Sequence, residues 1–248
     1  MVVVCIVLAI ALRSSSLALP GIQTSLQSPL RSHQNHPAVD VSTYHVLTEK
    51  IQDQRATLWL RYRNAVTDSE KESTLVEARE SLVKFVSNIF PYWYGTGWDF
   101  YGTSETPGKG KIACGYFVST VLRDAGLKVQ RAKLAQQASE NIILSLTTNN
   151  HIKRFRQVPI NKFVDAVKTS GSGLYVVGLD VHVGFILNTG EDVFFIHSSY
   201  GDPYCVVKER AEESQILGSS KYRVLGKLSE DDDLVLKWLK GDQFITRA

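Results

Sequence analysis

Cys114 lies in the run GKGKIACGYFVSTVLRDAGL, residues 108–127, where a loop rich in glycine and lysine gives way to an amphipathic segment. A cysteine attacks carbonyls or binds metals as its thiolate. The start of a helix supplies unpaired N–H groups and partial positive charge. That position therefore predicts a lowered thiol pKa, and the same N–H groups can hold a developing oxyanion. A nucleophilic thiol also needs a base, and two histidines follow, His182 in VHVGFIL and His197 in FFIHSS. Their runs flank a turn centred on NTGED. If Leu187 pairs with Asp192 around NTGE, His182 stands directly opposite His197 on the same face, and one imidazole can orient the other as the third member of a triad does. A slip of one residue would send the rings to opposite faces. Singly, a cysteine at a helix start and a histidine in a strand are more often inert. In this order they fit a thiol hydrolase.

The surrounding elements must position these groups. Phe117, Val118, Val121, Leu122 and Ala125 give an amphipathic helix behind Cys114, closed by Gly126. After SGSG at 170–173, the segments LYVVGL, HVGFIL, DVFFIH, YCVVKE and KYRVLGKL are short β-branched or aromatic runs separated by turn residues, which predicts strands. Upstream, residues 42–65 carry no Gly or Pro and read as a helix. Thr67 and Glu70 match a capping box, and Leu75, Ala78, Leu82, Phe85 and Ile89 continue at helical spacing until Pro91, which is expected to stop the helix. Residues 130–145 read as helical, 147–157 as a polar loop with His151, 159–168 as a short helix, and LVLKWLK (234–240) as a terminal helix or strand. Helices first and an antiparallel sheet afterwards predict an α+β fold. PYWYGTGWDFYGTSETPGKGKIA (91–113) reads as an aromatic, glycine-rich loop able to line a groove.

The chain has 248 residues, 44% hydrophobic and 21% charged, enough for a sizeable core. Its 28 basic and 25 acidic residues leave a net charge of +3. That excess is small and scattered, which argues against nucleic acid as the main partner. Residues 2–12 are all apolar, too short to span a membrane, and Ser16 and Ala18 suit a cut after Ala18. This predicts a signal peptide over 1–18, export to a periplasmic or extracellular compartment and no stable membrane span after processing, although no basic residue precedes the run. A polar arm follows at 19–41, with His33 and His36, then a helical hairpin at 42–90 and a catalytic domain at 91–248. After cleavage only Cys114 and Cys205 would remain, and in an oxidising compartment the two could pair. The sequence sets no oligomeric state.

Between about Pro91 and Ser199 the chain resembles the NlpC family of cell-wall cysteine peptidases, which have a papain-like fold. PYWYG (91–95) resembles the family's Pro-Tyr-x-Trp-Gly-Gly motif, ACGYFVSTVLRDAG (113–126) its Asp-Cys-Ser-Gly-Phe-Val helix, HVGFIL (182–187) its His-Val-Gly-Ile strand, and FIHSS (195–199) the strand that follows. The resemblance implies Cys114 as nucleophile, His182 as base and His197 as its orienting partner. It implies Tyr92 as a contact to substrate and oxyanion and peptidoglycan stem peptides as substrate; Gly115, Trp93, Tyr94 and Trp98 stand beside it as candidate substrate and oxyanion contacts, and no metal or other cofactor is expected. Ala113 departs from the family's acid, Gly115 from its serine, and the loop from Tyr92 to Cys114 is long.

Two other readings use the same residues. Cys114, His182 and His197 could supply three zinc ligands of an amidase, with Asp180 near in sequence, yet no His-Glu-x-x-His or Cys-x-x-Cys accompanies them. Alternatively Trp93, Tyr94, Trp98 and Tyr101 could grip a glycan or peptide in a binding module without catalysis, which a Cys114–Cys205 disulfide would favour.

Overall fold

The computed structural model describes residues 40–247, so the expected signal peptide, Cys5, His33 and His36 lie outside the described residues. Two long helices come first, α1 (Val41–Asn64) and α2 (Asp68–Trp93). The Thr67–Glu70 capping box is formed: Thr67 Oγ1 accepts from Glu70 N, and the Glu70 carboxylate accepts from Thr67 N at 3.0 Å. Pro91 does not end α2. The buried stripe of Leu75, Ala78, Leu82, Phe85 and Ile89 continues four residues on to Trp93, which is fully buried. Burying that indole holds the last turn helical, while Pro91 sits on the exposed side and forfeits only one bond near the helix end.

There follow α3 (Cys114–Asp124), β1 (Lys128–Val129), α4 (Arg131–Ala135), α5 (Ser139–Leu146), β2 (Ile152–Arg156), α6 (Ile160–Thr169), β3 (Gly173–Leu179), β4 (Val183–Asn188), β5 (Val193–Ser198), β6 (Val206–Arg210), α7 (Gln215–Ser219), β7 (Tyr222–Lys227), α8 (Asp232–Lys240) and β8 (Gln243–Phe244). The expected helix over 130–145 is thus two short helices. The expected polar loop at 147–157 contains β2, an edge strand whose Lys153, Arg154 and Arg156 keep that edge solvated.

Six strands form one antiparallel sheet in the order β2-β7-β3-β4-β5-β6, so the fold is α+β. β1 and β8 make a separate parallel pair. Both faces of the large sheet are covered, which is why GLYVVGL reads as a nearly continuous apolar run. Leu174, Val176, Phe185 and Ile196 face the main core, shared with α1, α2, α3, α5 and α8. Tyr175, Val177, Ile186 and Phe195 face a second core closed by α6 and α7. The hairpin is tied to the helix that carries Cys114: Tyr44 of α1 donates to Asp124 at the end of α3 and accepts from Trp93 Nε1 at 3.1 Å. Among the described residues no helix is long and apolar enough to cross a membrane.

Candidate active site

Cys114 is the first residue of α3, as the loop-to-helix junction predicts. The residue before it, Ala113, has no side-chain acceptor, so no cap competes for the first-turn N–H groups. Cys114 is partly accessible from a cleft while packing against the main core. The expected lowering of its pKa is not what the site produces. Burial pushes the thiol up from its ordinary 9.0, and the backbone N–H groups of Val183, Gly115 and Cys114 pull the other way without prevailing. The resting sulfur is a neutral thiol. Gly115 has a steric reason: a Cβ there would lie 2.2 Å from the carbonyl oxygen of Ala135, so the seat of α4 beside Cys114 excludes the serine of the resembled motif.

His182 precedes β4 and His197 lies on β5, both buried, and His182 Nε2 meets His197 Nδ1 at 2.9 Å. The predicted pairing of the imidazoles is formed, but on a different register. Asn188 pairs with Val193 and Leu187 with Phe194, leaving 189–192 as the loop, so the ladder is displaced by two residues. A two-residue displacement preserves faces. The rings therefore meet diagonally, and the position opposite His197 on that ladder falls at Gly184. A Cβ on Gly184 would lie 2.8 Å from His197 Cβ, so a glycine in HVGFIL is what lets the second imidazole sit there.

A third member stands behind the pair. His197 Nε2 lies 3.1 Å from Glu209 Oε1 on β6. Burial pushes the Glu209 carboxyl up, but its hydrogen bonds with His197 and Ser214 outweigh this and hold it below its ordinary 4.5. An ionised carboxylate only accepts, so His197 carries its hydrogen on Nε2. Neutral His197 then offers a lone pair on Nδ1, and His182 must donate from Nε2. Neutral His182 is left with its lone pair on Nδ1. That atom is buried and makes no hydrogen bond in the protein, to Cys114 included. Burial, helped by the neighbouring His197, drives His182 well below its ordinary 6.5. Burial also lowers His197, against the opposing pull of Glu209. The pair is neutral at rest, held in one tautomer by a carboxylate.

Glu209 escaped the sequence reading, although alternation points to it. His197 pairs with Val207, and Glu209 follows two residues later on the same face. Tyr200 was also missed. It comes from the loop after β5, its ring stands edge-on to His182 with centroids 5.1 Å apart, and it lines the cleft. Phe195 closes the other side, stacked on His197 at 4.0 Å.

Cys114 and His182 share the floor of two connected depressions. One, of about 700 Å³, is walled by Trp98, Phe100, Tyr101, Tyr116, Val181 and Tyr200. The other, of about 460 Å³, runs past Ser139, Glu140, Asp180 and Tyr222. Trp98 and Gly115 therefore reach the site as expected. Tyr92, Trp93 and Tyr94 do not. Tyr92 lies inside α2 against Tyr44, Trp93 is buried against Phe117, and Tyr94 caps α2 beside the main core. The helix runs into the PYWYG motif as far as Trp93 and packs Tyr92, Trp93 and Tyr94 against the main core, so none of the three is among the residues that line the cleft.

The zinc reading finds no geometry. Both nitrogens of His197 are engaged, and among the described residues no group of three or more His, Cys, Asp or Glu is placed to hold a metal ion. Asp180 accepts from Lys221 N at 2.7 Å and from Ser220 Oγ at 3.0 Å, which pins the β3–β4 turn. Cys114 and Cys205 are both free thiols. No protein-family model, curated protein or solved structure matches the chain.

Proposed function

We propose that the chain is a cysteine hydrolase that cleaves amide bonds through a thioester. The observation that carries this reading is a lone pair kept free: Glu209 and His197 fix the tautomer of His182 so that its buried Nδ1 has no partner in the protein and can accept, and His182 and Cys114 line the same cleft. In the reaction His182 Nδ1 takes the thiol proton as the sulfur attacks the carbonyl carbon. The oxyanion forms over the first-turn N–H groups of α3. His182 then protonates the leaving amine as the C–N bond breaks. Water adds to the thioester with His182 again as base, and the acid and free thiol are released. His197 and Glu209 stabilise the imidazolium in each half-reaction.

The papain-like, NlpC-type assignment belongs to this proposal, on the strength of the order of the Cys helix, the His strand and the next strand. So do export and peptidoglycan stem peptides as the substrate. The test is digestion of muropeptides and of simple peptide amides, with products followed by mass spectrometry. Wild type should release amines, Cys114→Ala and His182→Ala should not, and a strong chelator should leave the rate unchanged. Hydrolysis persisting in a folded Cys114→Ala variant overturns the reading. A folded wild type that binds these ligands without cleaving them returns the site to the non-catalytic alternative.

A further inference from the structure

The larger limb of the cleft has no charged lining. Among the described residues that wall it, none is Asp, Glu, Lys or Arg. Its mouth holds large apolar side chains that a soluble surface rarely gathers: Phe100 is 71% exposed, Tyr101 83% and Val181 80%. Phe100 and Tyr101 meet edge to face at 5.0 Å, and Trp98 and Tyr200 stand across from each other at 6.3 Å. The charges nearby are turned away and engaged. Arg131 stacks behind Tyr116 and donates to Thr120 Oγ1 and to the carbonyls of Thr103 and Ser104. Asp99 accepts from Tyr101 N and pairs with Lys111 at 3.6 Å. The second limb carries Glu140 and Asp180 but likewise no lysine or arginine.

We infer that the aromatic limb is a specificity pocket for an uncharged, apolar side chain of a peptide substrate, and that it discriminates against a carboxylate at that place. The aromatic walls reward burial of an apolar group, while the donors in the lining, Thr103, Gln136 and Gln137 among them, are neutral and give a carboxylate stripped of water no countercharge. Neither limb is lined by a cation; beside the second, Arg154 is already paired with Glu140 at 2.7 Å and Arg156 lies over Tyr222, so it is the aromatic limb that leaves an acidic side chain without a countercharge. Among stem peptides, forms with amidated carboxyls are then preferred to the acidic forms. This rests on the hydrolase reading for the direction of the cleft, but binding tests it separately.

The experiment uses four blocked tripeptide amides, acetyl-Gly-Xaa-Gly-amide with Xaa as Phe, Leu, Glu or Lys. Binding to the full-length Cys114→Ala variant is measured by calorimetry, and hydrolysis by the wild type in parallel. Phe and Leu peptides should bind about tenfold or more tighter than the Glu peptide. Trp98→Ala and Phe100→Ser should erase that preference by weakening Phe and Leu alone, with circular dichroism confirming both variants folded. Equal affinity for Glu, uniform weakening by the two variants, or no saturable binding of any peptide overturns the inference. Preferential binding without cleavage by the wild type sinks the hydrolase reading and leaves the pocket standing. Cleavage with no preference does the reverse.

Discussion

Glu209→Gln removes one charge while keeping shape and most hydrogen-bonding capacity, and it probes the relay directly. In the wild type the carboxylate forces hydrogen onto His197 Nε2, hence onto His182 Nε2, leaving His182 Nδ1 free to accept. A glutamine can instead donate to His197, which reverses both tautomers and puts the hydrogen on Nδ1, where it blocks the base. Even with its oxygen turned to His197, it supplies no countercharge. Through contacts of 3.1 Å and 2.9 Å and one ring between them, the carboxylate lies on the order of 8 Å from the centre of a His182 imidazolium. At an effective dielectric of about 20, that interaction is worth about 2 kcal/mol. The thiolate–imidazolium population should fall about thirtyfold. The assay needs no substrate: the chain is alkylated with iodoacetamide near neutral pH, and peptide mass spectrometry follows Cys114 with Cys205 as the internal reference. Cys114 should slow about thirtyfold relative to Cys205, and peptide turnover should fall by a similar factor. Equal Cys114 rates in Glu209→Gln and wild type would refute the relay.

Four further outcomes follow. Since burial holds the Cys114 thiol above its ordinary 9.0, its alkylation should climb with pH through and beyond that value; a fast plateau at pH 5–6 would instead reveal a standing ion pair. His182 and His197 are both held below their ordinary 6.5, so the unfolded chain binds more protons; their contribution is complete above 6.5 and is lost as pH falls below it, which denaturant midpoints at pH 7.5, 6 and 5 will show as a steady decline that flattens in His182→Asn. Gly115→Ala drives a methyl to 2.2 Å from the Ala135 carbonyl and should cost about 1–3 kcal/mol in urea denaturation while displacing α4 from the cleft; a wild-type midpoint contradicts the contact. Arg223, buried with donors at 2.8, 2.7 and 2.9 Å from the carbonyls of Leu217, Val158 and Gly218, should cost about 3 kcal/mol when replaced by Met, because those acceptors lose their partners.

What the sequence made legible follows from how much each element depends on local pattern. The strands β3, β4 and β5 were readable because burial on both faces demands nearly uninterrupted β-branched and aromatic runs. The helix behind Cys114 was readable because its stripe, Phe117 through Ala125, is buried throughout. The His182–His197 face was readable for a related reason, since alternation fixes parity. It does not fix the exact rung: a turn over NTGE and one over TGED present the same faces, and the bond from Thr189 N to Asp192 O decides between them. PYWYG misled because glycine beside aromatic rings suggests a groove, whereas the stripe of α2, extended by one more step of four, already places Trp93 inside. Glu209 lay within reach of the same alternation on β6. Tyr200 did not, because a loop residue after β5 obeys no period.

The pKa directions and the need for Glu209 have one cause. A dry site makes the thiol a poor acid and the imidazole a poor base, so the charged pair that would start the proposed reaction is costly just where it would have to form. A carboxylate placed beside His182 would itself be desolvated and driven toward its neutral form. On β6, with its side chain 34% exposed, Glu209 keeps contact with water and stays ionised. His197, with no exposure, carries the influence of that charge inward through two hydrogen bonds without admitting solvent. The second imidazole is thus a spacer of defined polarity. In the proposed mechanism it lets a hydrated anion stabilise an imidazolium that forms only while His182 holds the proton of Cys114.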